Sequence, residues 1–220
     1  QAITLTPNYA DAIVLLASIN VRIGDPSTAI AALKQLLPQR PDLAQAWLLL
    51  ANAYRAQGNA GDAIAVYGQM EKLFPGNPQT SWLLGQAYVQ QNKKTEARQA
   101  FTHALELAPD YLPAVEQLVT LDLADKQYPA AHERVAAQIA KDPKQAGPYL
   151  LQAQIFLAEN DTKQAETALL QAVALQPELP TSYFLLARLY LGTHQEQKAL
   201  ANLQTVVAKN PKDTGALMMI

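Results

Sequence analysis

Proline recurs along this chain at an unbroken interval of 34 residues. A series of alanines keeps the same interval in the same register. The periodic prolines are Pro7, Pro41, Pro75, Pro109, Pro143, Pro177 and Pro211, and the periodic alanines are Ala29, Ala63, Ala97, Ala131, Ala165 and Ala199. A fixed period between about 20 and 50 residues is typical of an array of stacked structural units and argues against a single globular core.

The residues within one period follow the spacing of two amphipathic helices. One apolar stripe of the second period has the helical spacing i, i+3, i+4 and i+7 and consists of Trp47, Leu50, Ala51 and Tyr54. A second stripe with helical spacing consists of Ala63, Tyr67 and Met70. The chain also contains 39 Ala and 33 Leu, which are strong helix formers. Each period therefore predicts a hairpin of two helices, about 13 residues each.

The predicted helices are separated by residues that suit turns. Glycine and asparagine tolerate the left-handed backbone conformation that ends many helices. The turn position is occupied by Gly24, Gly58, Asn92, Lys126, Asn160 and His194. We predict an all-α fold of six hairpins over residues 10–43, 44–77, 78–111, 112–145, 146–179 and 180–213. Residues 1–9 are expected to be the tail of a preceding repeat and 214–220 the start of a further one, which makes the sequence an excerpt of a longer protein.

The same positions resemble the tetratricopeptide repeat. The order of aromatic, Leu-Ala, Tyr, Ala, aromatic and Pro that marks this family is matched by Trp47, Leu50-Ala51, Tyr54, Ala63, Tyr67 and Pro75. The resemblance extends over essentially the whole chain. It implies a right-handed α-α superhelix, or solenoid, of stacked helical hairpins whose first helices line an inner, concave side.

By this resemblance, two rows of side chains point into the concave groove. The first row is Val14, Leu48, Trp82, Glu116, Leu150 and Phe184. The second row lies four residues further along each helix and is Ser18, Asn52, Gln86, Thr120, Gln154 and Arg188. We predict that the groove binds an extended protein segment, with Trp82 and Phe184 as aromatic anchors. The alternative is that the aliphatic members of the first row only pack against neighbouring repeats.

The composition argues against several other classes of site. Without cysteine the chain has no disulfide and no Cys-ligated zinc, and a net charge of −2 without a clustered basic face argues against nucleic acid. The three histidines lie in three different repeats, and Ala136 stands where a second ligand would follow His132-Glu133. No apolar run reaches the roughly 18 residues of a membrane span. We predict no enzyme activity, no catalytic or metal site and no cofactor.

The leading functional hypothesis is a non-catalytic scaffold for protein–protein interaction. Some arrays of this family clamp a charged C-terminus with lysine and asparagine on the two rows, and these rows contain no lysine. One alternative is a carbohydrate-binding groove that stacks sugar rings on Trp82, Tyr111, Tyr149 and Phe184. Another is the recruiting domain of a larger enzyme.

A narrower resemblance is to bacterial repeat lipoproteins of exopolysaccharide export and the PEP-CTERM sorting system. It rests on segments such as Pro109-Asp110-Tyr111-Leu112-Pro113-Ala114. It implies a periplasmic or outer-membrane lipoprotein, with the cytoplasm as the alternative location, and partners in an envelope assembly.

Two further expectations concern the fourth repeat and the ends. The fourth repeat departs most from the pattern, at Val119, Asp122 and Gln138, which indicates either ordinary sequence drift or a softer joint. Helices cut at the ends of the segment would expose apolar faces, so end-to-end self-association is also possible.

Overall fold

The computed structural model describes residues 9–219, a range that contains thirteen α-helices and no β-strand. The helices are α1 (Tyr9–Arg22), α2 (Pro26–Leu36), α3 (Ala44–Ala56), α4 (Ala60–Leu73), α5 (Pro78–Gln90), α6 (Lys94–Leu107), α7 (Leu112–Ala124), α8 (Tyr128–Lys141), α9 (Ala146–Ala158), α10 (Thr162–Leu175), α11 (Pro180–Gly192), α12 (Glu196–Lys209) and α13 (Thr214–Met219). The predicted all-α class is confirmed. The expected tail of a preceding repeat lies, apart from Tyr9, outside the described residues.

The described residues form two compact units, 9–114 and 115–219, with the boundary inside α7. In unit 1 the pairs α1–α2, α3–α4 and α5–α6 are hairpins, and the second helix of one hairpin packs against the first helix of the next. In unit 2 the hairpins α9–α10 and α11–α12 stack in the same way, with α8 against α9 and α12 against α13. Each unit is thus an array of stacked hairpins.

All six predicted turn positions have a left-handed backbone. The φ angles are 85° at Gly24, 81° at Gly58, 57° at Asn92, 56° at Lys126, 64° at Asn160 and 57° at His194. Glycine and asparagine adopt this conformation at low cost, whereas Lys126 and His194 adopt it against their steric preference. The turn geometry is therefore common to all repeats even where the residue type is unfavourable.

Small residues let the helices of each unit approach closely. The periodic alanines Ala29, Ala63 and Ala97 in unit 1 are fully buried. In unit 2 the same is true of Ala131, Ala165 and Ala199. Each periodic alanine therefore lies where the two helices of a hairpin cross, and a larger side chain there would overpack the core.

The periodic prolines contribute a carbonyl as well as a helix stop. The carbonyl of Pro41 accepts a hydrogen bond from the indole N–H of Trp47 at 3.0 Å. Three repeats later, the carbonyl of Pro143 accepts one from the hydroxyl of Tyr149, also at 3.0 Å. The proline segment that ends one hairpin is thereby tied to the first helix of the next.

Helix α1 exposes apolar residues that are buried at equivalent positions elsewhere. Leu16 and Ile19 are 57% and 44% exposed, whereas their equivalents Leu50 and Ala53 in α3 are buried. In α3 this face packs against the preceding hairpin. Nothing among residues 9–219 covers it on α1 to the same extent, and end-to-end self-association stays a prediction.

Candidate functional site

The surface formed by the first helices of unit 1 contains a pocket between α1 and α3. Its volume is about 470 Å³. Four predicted site residues line it together: Val14, Ser18, Leu48 and Asn52. The remaining lining residues are Asp11, Leu15, Leu43, Gln45 and Leu49. The two predicted rows thus meet here in one concave site, which we call the α1–α3 pocket.

The α1–α3 pocket combines apolar walls with hydrogen-bonding groups. Val14 and Leu48 are half-buried, so each presents part of its side chain to the pocket. The hydroxyl of Ser18 donates to the carbonyl of Leu15 at 2.7 Å, which leaves its oxygen as an acceptor. The side-chain amide of Asn52 makes no hydrogen bond to another described residue, so it can both donate and accept. The pocket can bury an apolar group while Asn52 bonds a backbone amide.

Trp82, the predicted anchor of unit 1, is half-buried. Its indole N–H donates to the carbonyl of Pro113 at 3.1 Å, which fixes the ring against the start of α7. Gln86, one turn further along α5, is also half-buried. Neither residue lines the α1–α3 pocket. This hydrogen bond holds successive hairpins together, and the use of Trp82 as a binding anchor stays a prediction.

The first helices of unit 2 form a second pocket, between α9 and α11, which we call the α9–α11 pocket. Its volume is also about 470 Å³. Among the predicted site residues it includes Gln154 and Arg188. Its other lining residues are Leu157, Asn160, Thr162, Leu185, Leu189, Gly192 and Thr193. These two polar residues are the repeat equivalents of Ser18 and Asn52 in the α1–α3 pocket.

The first-row residues of α9 and α11 do not line the α9–α11 pocket. Leu150 is half-buried and packs against the core of α9 to α12. Phe184 is half-buried and packs against a neighbouring core cluster, with its ring close to Gly215 of α13. For Leu150, packing against neighbouring repeats, the alternative stated for the aliphatic members of the row, agrees with the contacts. Phe184 packs in the same way, and its use as an aromatic anchor stays a prediction.

On α7, the predicted residues of the fourth repeat are both exposed. The hydroxyl of Thr120 makes a hydrogen bond within α7, because it donates to the carbonyl of Glu116 at 2.8 Å. Although Glu116 is exposed as a residue, desolvation by the surrounding protein raises the pKa of its carboxyl. Glu116 is the only acidic member of the two predicted rows.

Unit 1 also contains a polar cluster that the repeat pattern does not predict. The hydroxyl of Ser81 donates to Oε1 of Glu71 at 2.6 Å and lies 3.1 Å from Nδ1 of His103. These are residue types of a nucleophilic site, yet Ser81 is fully buried and its proton is directed at the carboxylate. In a working triad the histidine takes the serine proton, so this cluster is not arranged for attack on a substrate. Ser81 occupies the position that Trp47 and Tyr149 occupy in other repeats. This departure from the repeat pattern is the sequence feature that could have pointed to the cluster.

The described residues contain no group of three or more His, Asp or Glu side chains placed to hold a metal ion. Within the same range, no helix is both long and apolar enough to cross a membrane.

His132 pairs with Glu159 at 2.8 Å and stacks near Phe156, with 5.0 Å between ring centroids. Its contacts therefore join α8 to the end of α9.

The aromatic residues of the carbohydrate alternative have mostly internal roles. Tyr149 and Trp82 direct their polar atoms at proline carbonyls, as described above. Partial burial raises the pKa of the Tyr111 phenol. All four aromatic residues named for sugar stacking are only half-exposed. Carbohydrate binding stays a prediction that these contacts do not favour.

Solved structures of similar fold support the repeat architecture. A tetratricopeptide repeat protein from Parabacteroides merdae ATCC 43184 is 15% identical, with a TM-score of 0.70 over 97% of this chain and 84% of that chain. PilW, a widely conserved type IV pilus biogenesis factor, is 17% identical, with a TM-score of 0.66 over 97% and 99%. YrrB, a tetratricopeptide repeat protein with an unusual peptide-binding site, is 16% identical, with a TM-score of 0.51 over 85% and 96%. At these identities the similarity shows the fold alone.

Family models match the sequence itself over most of its length. One tetratricopeptide repeat model matches residues 54–121 and 156–219, which is more than half of the chain, and a second matches residues 14–78. No curated protein matches the sequence. Proteins built from this repeat are generally non-catalytic scaffolds for protein–protein interaction. The chain belongs to the tetratricopeptide repeat family.

Proposed function

We propose that this protein is a non-catalytic interaction scaffold that binds an extended segment of a partner protein in the α1–α3 pocket. The observation that carries the proposal is the shared lining of one 470 Å³ pocket by Val14, Ser18, Leu48 and Asn52. Two of these side chains are apolar and two are polar, and they belong to two successive hairpins. Concave pockets with mostly apolar walls and a few convergent polar groups are the usual form of a binding site.

An extended segment suits the chemistry of this pocket. Successive side chains of an extended chain point to opposite sides, so one apolar side chain can enter the pocket while its neighbours face solvent. Burial against Val14 and Leu48 would contribute about 25 cal/mol per Å² of apolar area. Asn52 would then bond the backbone amide groups of the segment and replace the hydrogen bonds to water that these groups lose on binding.

The proposal is tested with alanine-based peptides of twelve residues that carry one central leucine, with a serine-centred series as reference. We expect the leucine series to bind more tightly by about tenfold, the effect of burying one large aliphatic side chain. Leu48→Ser should remove this preference. Leu170→Ser is the matched control, because Leu170 is 48% exposed on α10 and lies outside the pocket.

Binding is measured by fluorescence anisotropy and mapped by amide chemical shifts. Shift changes centred on α1 and α3 would support the pocket as the site. An equal affinity for leucine and serine peptides, or a preference that survives Leu48→Ser, would contradict the proposal. Thermal melts of both variants separate a loss of binding from a loss of folding.

We further propose that the partner belongs to a bacterial envelope secretion or exopolysaccharide assembly. The support is the narrower resemblance at residues 109–114 and the fold similarity to PilW, whose own description names pilus biogenesis. Cross-linking and co-precipitation from fractionated bacterial envelopes test this role. Recovery only with cytoplasmic proteins would contradict it.

A further inference from the structure

The α9–α11 pocket has one charged side chain, the guanidinium of Arg188. Its other polar lining residues are the neutral Gln154, Asn160, Thr162 and Thr193. No aspartate or glutamate lines it. The walls contributed by Leu157, Leu185 and Leu189 are apolar. A positive charge thus faces a concave space that offers it no counter-ion.

Three other cationic side chains of unit 2 lie close to an acidic partner, unlike Arg188. Arg134 pairs with Asp122 at 2.8 Å, and Lys209 pairs with Glu178 at 3.0 Å. Lys198 lies 3.7 Å from Glu166. Arg188 is exposed and forms no ion pair within the described part of the chain. Its charge is therefore available to an external anion.

We propose that the α9–α11 pocket binds an acidic side chain, Asp or Glu, of an extended partner segment, an inference that rests on the proposed function as an interaction scaffold. A guanidinium bonds a carboxylate through two parallel N–H···O contacts. The side-chain amide of Gln154 adds a neutral donor on the facing helix. A single arginine matches the single charge of a carboxylate better than the two charges of a phosphate.

The α1–α3 pocket of unit 1, which shares three repeat positions with the α9–α11 pocket, provides an internal contrast. In the α1–α3 pocket the repeat equivalent of Arg188 is the neutral Asn52, and the only charged lining residue is Asp11. The two sites occupy equivalent first helices but carry charges of opposite sign. A carboxylate is therefore expected to prefer the α9–α11 pocket and to be repelled by Asp11.

The experiment uses the 220-residue protein and capped peptides, acetylated and amidated, so that no terminal charge contributes. A separate series of twelve-residue leucine peptides carries Glu, Gln or Lys at a second position that is varied along the peptide, and amide chemical shifts on α9 and α11 identify binding at this pocket. At 50 mM NaCl we expect the best Glu peptide to bind about fivefold more tightly than its Gln counterpart, the scale of an exposed ion pair. Raising the salt to 500 mM should reduce the preference, because exposed charges are then screened.

Arg188→Gln should abolish the preference for Glu over Gln, and Arg188→Lys should retain part of it. Arg22→Gln is the matched control, because Arg22 is exposed and lines neither pocket, and it should leave the preference intact. Arg188 is exposed, so these substitutions should not alter the melting temperature. A Gln peptide with a free C-terminus is added to separate a terminal carboxylate from an acidic side chain.

The outcomes separate this inference from the proposed function. Leucine-dependent binding without a preference for Glu, or a preference that survives Arg188→Gln, overturns the acidic-residue inference alone. A gain from the free C-terminus that equals the gain from Glu and depends on Arg188 overturns the assignment to a side chain. No binding by any peptide overturns both the inference and the proposed function.

Discussion

Nε of Arg134 on α8 donates a hydrogen bond of 2.8 Å to Oδ2 of Asp122 on α7, whose side chain is only 2% exposed. The equivalent positions in three other repeats hold an aromatic residue and a small one. These pairs are Tyr54 with Val66, Tyr88 with Ala100, and Phe156 with Ala168. The departure at Asp122 is thus matched by a second departure at Arg134. This compensated exchange adds an explanation to the two stated from the sequence, drift and a softer joint.

We expect Arg134→Ala to lower the free energy of unfolding by about 2–3 kcal/mol, because it leaves the Asp122 carboxylate buried without this partner. The loss should fall short of that for a fully buried pair, since a third of the Arg134 side chain is exposed. Urea unfolding monitored by circular dichroism measures the change.

The double variant Asp122→Phe/Arg134→Ala is the matched control. It reproduces the Phe156 and Ala168 pair of the next repeat and should recover most of the lost stability. If the double variant is no more stable than Arg134→Ala alone, the two positions are not coupled as inferred.

The period of 34 residues predicted what the repeats share. It led to the all-α class, the helical hairpins and the turn positions. The family resemblance added the two rows of side chains, four of which line the α1–α3 pocket. The period could not predict contacts made where one repeat differs from the others. The bond from Trp82 to the Pro113 carbonyl and the Glu71–Ser81–His103 cluster are of this kind. The residues common to all repeats do not predict such contacts, because each contact joins two side chains or groups at positions where a repeat departs from the common pattern.

Gly85 and Phe101 form a close contact inside the third hairpin. A Cβ built on Gly85 would lie 2.5 Å from Cε1 of the fully buried Phe101 ring. We expect Gly85→Ala to destabilise the protein by about 1–2 kcal/mol net, because overpacking exceeds the gain in helix propensity.

Two further variants test the origin of that loss. Gly68→Ala in α4 should stabilise by about 1 kcal/mol, because its Cβ would meet nothing within 4 Å. Adding Phe101→Leu to Gly85→Ala reproduces Ala153 with Leu169 and should relieve the clash. A Gly85→Ala protein as stable as Gly68→Ala would show that the ring moves aside without cost.

The turn at Lys126 carries backbone strain that a glycine would remove. Its φ of 56° is left-handed, and Gly58 at the equivalent position of another repeat has φ 81°. Lys126→Gly should therefore raise the free energy of unfolding by about 1 kcal/mol. Gly58→Lys, the reverse exchange, should lower it by a similar amount. Equal melting temperatures for the two variants would contradict this account.

Tyr190 makes the stability of unit 2 depend on alkaline pH. Burial first, and then the 2.7 Å hydrogen bond its hydroxyl donates to Glu166, raise the phenol pKa from 10 to about 12. Between these values the unfolded chain loses the Tyr190 proton while the folded protein keeps it, so stability falls as the pH rises. Tyr190→Phe should show a shallower fall between pH 10 and 12 in urea unfolding, and Glu166→Gln an intermediate one because burial is the larger cause. The 295 nm absorbance difference between wild type and Tyr190→Phe should titrate near pH 12, and a midpoint near 10 would contradict the assignment.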